Sequence, residues 1–365
     1  MTDTHQSNAA SCAGKRVNLA QQFTTSANGS LLQTIHHPGR LGQEQSHHLG
    51  PPWGILLLWT LTRRGVSRRS VAMRTAFGRR LTVAALLSLL LAGPASAGGG
   101  VAAQSRFFIT SDGVRLHYLE AGPRTGHTIV FVPGWTMPAW IWGAQIQAFA
   151  QRYHVVAFDP RGQGESDAPS SGYEPGRRGQ DIAELIANLE PVPVVLVGWS
   201  LGVLDTLAYV RAHGDLKAAG LVLVDNSVGE EPPPPPRVHH HTAPALPHAM
   251  AMQRFVQSMF HRRQSDAYLD QLTQATLHTP EPASKALLAY PMPRTYWRDT
   301  LYSTSKPVLY IVRPGWLSEQ AANLARNRPG TQVAVFGDAG HALFVDDAGR
   351  FNTLLSGFMA RTVWP

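Results

Sequence analysis

Residues 194–202 read Val-Val-Leu-Val-Gly-Trp-Ser-Leu-Gly, an apolar run ending on G-x-S-x-G, and Val203–Ala212 behind it has helical periodicity. A serine on so tight a strand-to-helix turn has its Oγ held out at the strand end. Side chains at the flanking positions would collide there, which accounts for Gly198 and Gly202. The backbone N–H of Leu201, at the start of the helix, then points at the oxygen of whatever group Ser200 attacks. A plain tight turn is the alternative, but strand before and helix behind favour a nucleophile.

That unit needs a sheet to end in, and the chain supplies one. Phe107–Thr110 and Val114–Leu119 alternate about Ser111-Asp112-Gly113, the pattern of a hairpin. Uninterrupted apolar runs follow at 128–132, 154–158, 192–197, 220–224, 307–312 and 331–336, as expected for strands buried on both faces. Helical patterns lie between them, such as 179–189 with Ile182, Leu185, Ile186 and Leu189 on one stripe. Strands alternating with helices predict an α/β chain with a mostly parallel central sheet flanked by helices.

Residues 229–305 break the alternation. They open with Glu230-Glu231 and Pro232–Pro236, pass through His239–His241, and continue as helical stretches around 249–261, 266–277 and 283–290. The expectation is a helical cap or lid inserted into a core of 98–228 and 306–365. Adjacent histidines cannot all face one ion without an irregular backbone, so the triplet reads as a solvated loop and no metal site is expected.

The net charge of +8 would suggest a nucleic-acid or membrane partner were it not confined to one end. Residues 1–97 hold 10 Lys+Arg against 2 Asp+Glu, whereas 98–365 hold 22 of each. No nucleic-acid partner is expected. Within the basic segment, Arg74, Arg79 and Arg80 precede the apolar run Leu81–Ala92 and then Ala95-Ser96-Ala97, the order of a secretory signal peptide. The run is shorter than the roughly 20 residues needed to span a bilayer. The expectation is export to the periplasm or the medium, a signal over 73–97 cleaved after Ala97, and no stable membrane span in the mature protein. Residues 1–72 are polar, hold the sole cysteine, Cys12, and read as an N-terminal extension upstream of a start at Met73.

Two further stretches carry chemistry. Val130-Phe-Val-Pro-Gly-Trp-Thr136 ends a strand in a turn whose N–H groups, that of Trp135 first, could supply a second oxyanion donor. Phe336-Gly-Asp-Ala-Gly-His341 puts a histidine after the last strand, where a general base for Ser200 is wanted. Asp159-Pro-Arg-Gly-Gln-Gly-Glu-Ser166 precedes no helix and lacks the full glycine series of a phosphate cradle, so its expected role is structural.

These four motifs, in this order over about 105–362, resemble the α/β-hydrolase fold family in its esterase, lipase and cofactor-free haloperoxidase branch. Pro133-Gly134 stands where many members have His-Gly, and serine at position 200 disfavours the branches with an aspartate nucleophile. The resemblance implies a triad in the order nucleophile, acid, histidine. The acid commonly follows the penultimate strand, but after Val308–Val312 there is only Glu319, which suits the start of a helix. Some members carry the acid one strand earlier, and here that position is Asp225. Asp225 is therefore the expected acid, Glu319 the alternative, and Asp338 is too near His341 in the chain. The implied protein is a cofactor-free serine esterase acting on a small-molecule ester. Trp135, Trp140 and Trp199 suggest an apolar pocket, and Arg313–Trp316 would shape its wall. A perhydrolase or haloperoxidase using the same triad, and a non-catalytic binding protein of the same fold, are the other readings.

Overall fold

The structure, a computed structural model, describes residues 101–189, 193–236 and 246–365. The expected signal segment, Cys12 and the histidines at 239–241 lie outside those residues. β1 (Gln104–Ile109) and β2 (Arg115–Ala121) form the expected hairpin. Its turn closes through Thr110 and Val114, whose N–H and carbonyl lie 2.9 Å apart, with Gly113 at φ +80°. That backbone angle is one glycine adopts without penalty.

Next come β3 (Thr128–Val132), a 3₁₀ turn (Ala139–Trp142), α1 (Gly143–Phe149), β4 (His154–Asp159), α2 (Pro175–Asn188), β5 (Val194–Trp199), α3 (Leu201–His213) and β6 (Ala218–Val224). Four helices follow: α4 (His248–Ser258), α5 (Asp266–His278), α6 (Glu281–Leu287) and α7 (Arg294–Ser303). The chain then returns to the sheet as β7 (Val308–Val312), α8 (Trp316–Asn327) and β8 (Gln332–Val335), and ends with α9 (Leu343–Asp346) and α10 (Ala348–Phe358). Among the described residues no helix is long and apolar enough to cross a membrane.

One eight-stranded sheet runs β1-β2-β4-β3-β5-β6-β7-β8, with β1, β2 and β4 paired antiparallel and β4 through β8 parallel. The mostly parallel sheet is as the sequence predicts. Every residue of β3 is fully buried, with Val130 and Val132 in one apolar cluster and Ile129 and Phe131 in the other. Covering such a side chain on both faces stabilises by about 1.5–3 kcal/mol, which is why these strands show no alternation. The order reverses between β3 and β5, since the chain leaves β3 for β4 on one side and comes back to β5 on the other. At such a switch point the loops beyond the two carboxyl ends diverge and leave a crevice.

The Asp159–Ser166 stretch is structural, as expected. Arg161 is wholly buried and clamps Asp181 of α2 through Nε and Nη2 at 2.6 and 2.7 Å, while also reaching Asp112 of the hairpin turn. The hydrogen bond from Arg161 holds the Asp112 carboxyl down at about 2. A carboxyl whose folded value lies below its unfolded value adds stability at higher pH, and that contribution is lost as pH falls from about 4 through about 2. The difference in melting temperature between the wild type and Asp112→Asn should therefore shrink steadily from pH 5 to pH 3. A difference that stays constant with pH would show that the Asp112 charge adds nothing.

Helix α7 has no counterpart in the helices read from sequence. Its only buried apolar residues are Trp297 and Leu301, too few for a clear stripe, and it forms because Pro293 precedes it and those two side chains find the core. The turn after α4 is tied to the segment that follows β8. The Asp346 carboxylate of α9 accepts from the N–H groups of His261 and Gly340, both at 2.7 Å, and the Ala342 N–H donates to Met259 O at 2.9 Å.

Candidate active site

The carboxyl ends of β3, β5 and β6 carry the three non-glycine residues that have positive φ among the described residues: Thr136 at 59°, Ser200 at 54° and Asp225 at 51°. Each such backbone costs roughly 1–3 kcal/mol and survives only where its surroundings over-determine it. At Ser200 the reason is visible. Added Cβ atoms at the flanking glycines would lie 2.4 Å from Gly202 O, for Gly198, and 2.3 Å from Val132 O, for Gly202. The turn after β3 is equally close, since a Cβ at Gly134 would lie 3.0 Å from Ser200 Cβ.

Ser200, Asp225 and His341 meet at this edge. The Asp225 side chain is fully buried and lies 2.6 Å from His341 Nδ1 through Oδ2. A carboxylate only accepts, so Nδ1 carries the hydrogen, and in the neutral ring Nε2 is left to accept from the Ser200 hydroxyl at 2.9 Å. The three come from positions 25 and 116 residues apart in sequence, joined only because β5, β6 and the segment after β8 end on one side of the sheet. Asp225 is fixed by its own N–H to Ile311 O at 2.8 Å, and the elbow is tied by Asn226 Nδ2 donating to Ser200 O at 2.8 Å.

Neither alternative acid approaches His341. Glu319 is exposed in the first turn of α8, beside Glu231, Asn323 and Arg326, and Asp338 is exposed on the loop before His341. The turn after β3 is held by the buried Gln163, whose Oε1 accepts from the Thr136 N–H at 2.5 Å. The N–H groups of Trp135 and Leu201 have no acceptor among the described residues.

Two side chains have functions other than those the sequence suggested. Arg313 does not simply line a pocket wall: its N–H donates to Asp225 Oδ1 at 3.0 Å and its Nε to Oδ2 at 2.6 Å. Trp199 is 1% exposed, packs its ring 5.2 Å from the imidazole, and donates from Nε1 to His341 O at 2.8 Å. It therefore sets the loop that carries His341 instead of walling an open pocket. Trp199→Phe keeps an aromatic ring and removes the donor. It should lower kcat about tenfold with KM within twofold, because a small displacement of a reacting group is costly. A steady-state profile with unchanged kcat would contradict this. Trp135 does face the helical stretch, donating to Ser284 O at 2.7 Å and meeting Phe255 edge-on at 5.1 Å, and Trp140 meets Tyr268 in the same manner. The sequence suggested pocket roles for Trp199 and Arg313 and gave no sign of these bonds, because each acts on a residue 142 or 88 positions away.

A profile described as "Alpha/beta hydrolase family" matches residues 129–354. The chain belongs to the alpha/beta hydrolase family. A non-heme chloroperoxidase of Streptomyces lividans is 37% identical over 116 residues, 32% of this chain and 42% of that protein. A bifunctional esterase/perhydrolase of Acinetobacter calcoaceticus is 32% identical over 119 residues, covering 32% and 43%. The chain thus spans about two fifths of the length of these relatives. The crystal structure of a proposed aryl esterase from Burkholderia cenocepacia superposes with a TM-score of 0.63 at 26% identity, over 70% of this chain and 98% of that one.

Proposed function

We propose that this protein is a serine hydrolase that cleaves carboxylic esters through an acyl-enzyme. The observation that carries the proposal is the unbroken hydrogen-bond chain from Ser200 through His341 to a fully buried Asp225. In the proposed reaction His341 Nε2 takes the Ser200 proton as Oγ attacks the ester carbonyl. The N–H groups of Leu201 and Trp135 hold the oxyanion, and the imidazolium returns the proton to the departing alcohol. Water, deprotonated by the same imidazole, then releases the acid and restores Ser200. Asp225 keeps the hydrogen on Nδ1 and stabilises the imidazolium formed in each half-reaction.

Trp135 meets Phe255 of α4 beside the turn after β3, and this aromatic surface favours an apolar acyl or alcohol group. A screen of aryl esters of increasing acyl length on the purified protein tests this reading. Turnover of at least one short or medium acyl ester is the expected result, and none across the series would overturn it.

A second reading has hydrogen peroxide replace water at the acyl-enzyme, giving a peracid. It is favoured by the peroxidase and perhydrolase names of the two bacterial relatives. Measuring peracid formation beside ester hydrolysis on the same preparation separates the two.

A further inference from the structure

The acid of the site is shared. Asp225 Oδ2 lies 2.6 Å from His341 Nδ1 and also 2.6 Å from Arg313 Nε, so the imidazole and a guanidinium meet on one oxygen, no more than about 5 Å apart. The arginine side chain is 40% exposed, while the carboxylate it touches is fully buried. Arg313 is the first residue after β7, the strand end where the sequence looks for an acid and has none. This strand end thus carries a cation that binds the acid of its neighbour β6.

Resting on the serine hydrolase reading above, we propose that Arg313 is a positioning residue that fixes the Asp225 carboxylate towards the imidazole.

The consequence is geometric. Oδ1 is held by the Arg313 N–H, which any residue but proline retains at 313, but among the described residues Oδ2 is held towards His341 only by the guanidinium. Without it the carboxylate can rotate about its last bond, and the imidazole loses a fixed partner.

The other charged or titratable groups on the surrounding elements do not substitute for it. Tyr310 of β7 donates its hydroxyl to Asn226 O and is kept protonated by burial, and Asp346 of α9 is occupied by the amides of Gly340, His261 and Arg262. Glu319 of α8 and Asp338 of the histidine loop are exposed, and neither bonds to Asp225 or the imidazole.

The test is kcat and KM for an aryl ester with wild type, Arg313→Gln, Arg313→Ala and Arg313→Lys, a separate portion of the wild type being labelled with a fluorophosphonate. Gln and Ala should lower kcat about tenfold with KM within twofold, because the loss falls on the orientation of the imidazole and not on substrate binding. Lys, which can still donate to Oδ2, should recover part of kcat. Wild-type kcat in Gln and Ala would overturn the proposal, and so would a loss that falls on KM. Failure of the wild type itself to label would overturn the serine hydrolase reading and this proposal with it. Labelling of the wild type with unchanged kcat in the variants overturns the proposal alone.

Discussion

Replacing Ser200 by alanine should abolish ester turnover, by a factor on the order of 10⁶ in kcat, while leaving the fold intact. The size follows from the proposed roles. Without Oγ no acyl-enzyme can form, and the oxyanion donors and binding contacts that remain give only residual acceleration over water. Stability should change little or rise. Ser200 sits at φ 54° and ψ −120°, a strained backbone that alanine shares, and its hydroxyl bonds only to His341. A loss of activity accompanied by unfolding would say nothing of chemistry, so the melting temperature belongs with the kinetics. Retention of more than a hundredth of the wild-type kcat would exclude Ser200 as the nucleophile.

Replacing Asp225 by asparagine should cost about 10⁴ in kcat. Asparagine is the right shape for the site, but only one of its two terminal atoms accepts. If its oxygen keeps the Arg313 N–H at the Oδ1 place, the amide nitrogen stands at the Oδ2 place, where it opposes Arg313 Nε, faces His341 Nδ1 and forces the hydrogen onto Nε2, blocking deprotonation of Ser200. If the amide rotates, the oxygen returns to the imidazole but the amide nitrogen opposes the Arg313 N–H. Glu319→Gln, on an exposed carboxylate in the first turn of α8, should stay within twofold of wild type. The opposite ranking, with Glu319→Gln crippling and Asp225→Asn mild, would move the acid one strand along the sheet.

Much of this arrangement could be read from the chain, for reasons that differ by residue. Strands β3 and β5 stand out because both faces are buried and nothing polar interrupts them. Gly198 and Gly202 are legible because no other residue fits where backbone carbonyls come within 2.4 Å of a would-be Cβ. Asp225 was legible through the family resemblance, some members carrying the acid one strand earlier, and without it would read as an ordinary turn aspartate. It lies at the end of β6, the strand paired with β5 on one side and β7 on the other. Arg313, Trp199 and Gln163 were not legible, since an arginine, a tryptophan or a glutamine acquires its function from a partner brought to it by the fold. The buried pair Arg178–Asp205 belongs with them. It joins α2 to α3 at 3.3 Å, burial lifts its carboxyl to about 6, and neither residue shows in sequence that its partner lies on the next helix. Helix α7 escaped for the related reason that two buried side chains make no periodic stripe.

Reaction of the full protein with a fluorophosphonate, read by intact mass and peptide mapping, bears most directly on whether this site is a working nucleophile. The expected result is a single adduct on Ser200, formed within minutes, absent from Ser200→Ala and strongly slowed in His341→Ala. No adduct on the folded wild type, alongside an active serine hydrolase that labels fully, would contradict it and leave a non-catalytic member of the fold.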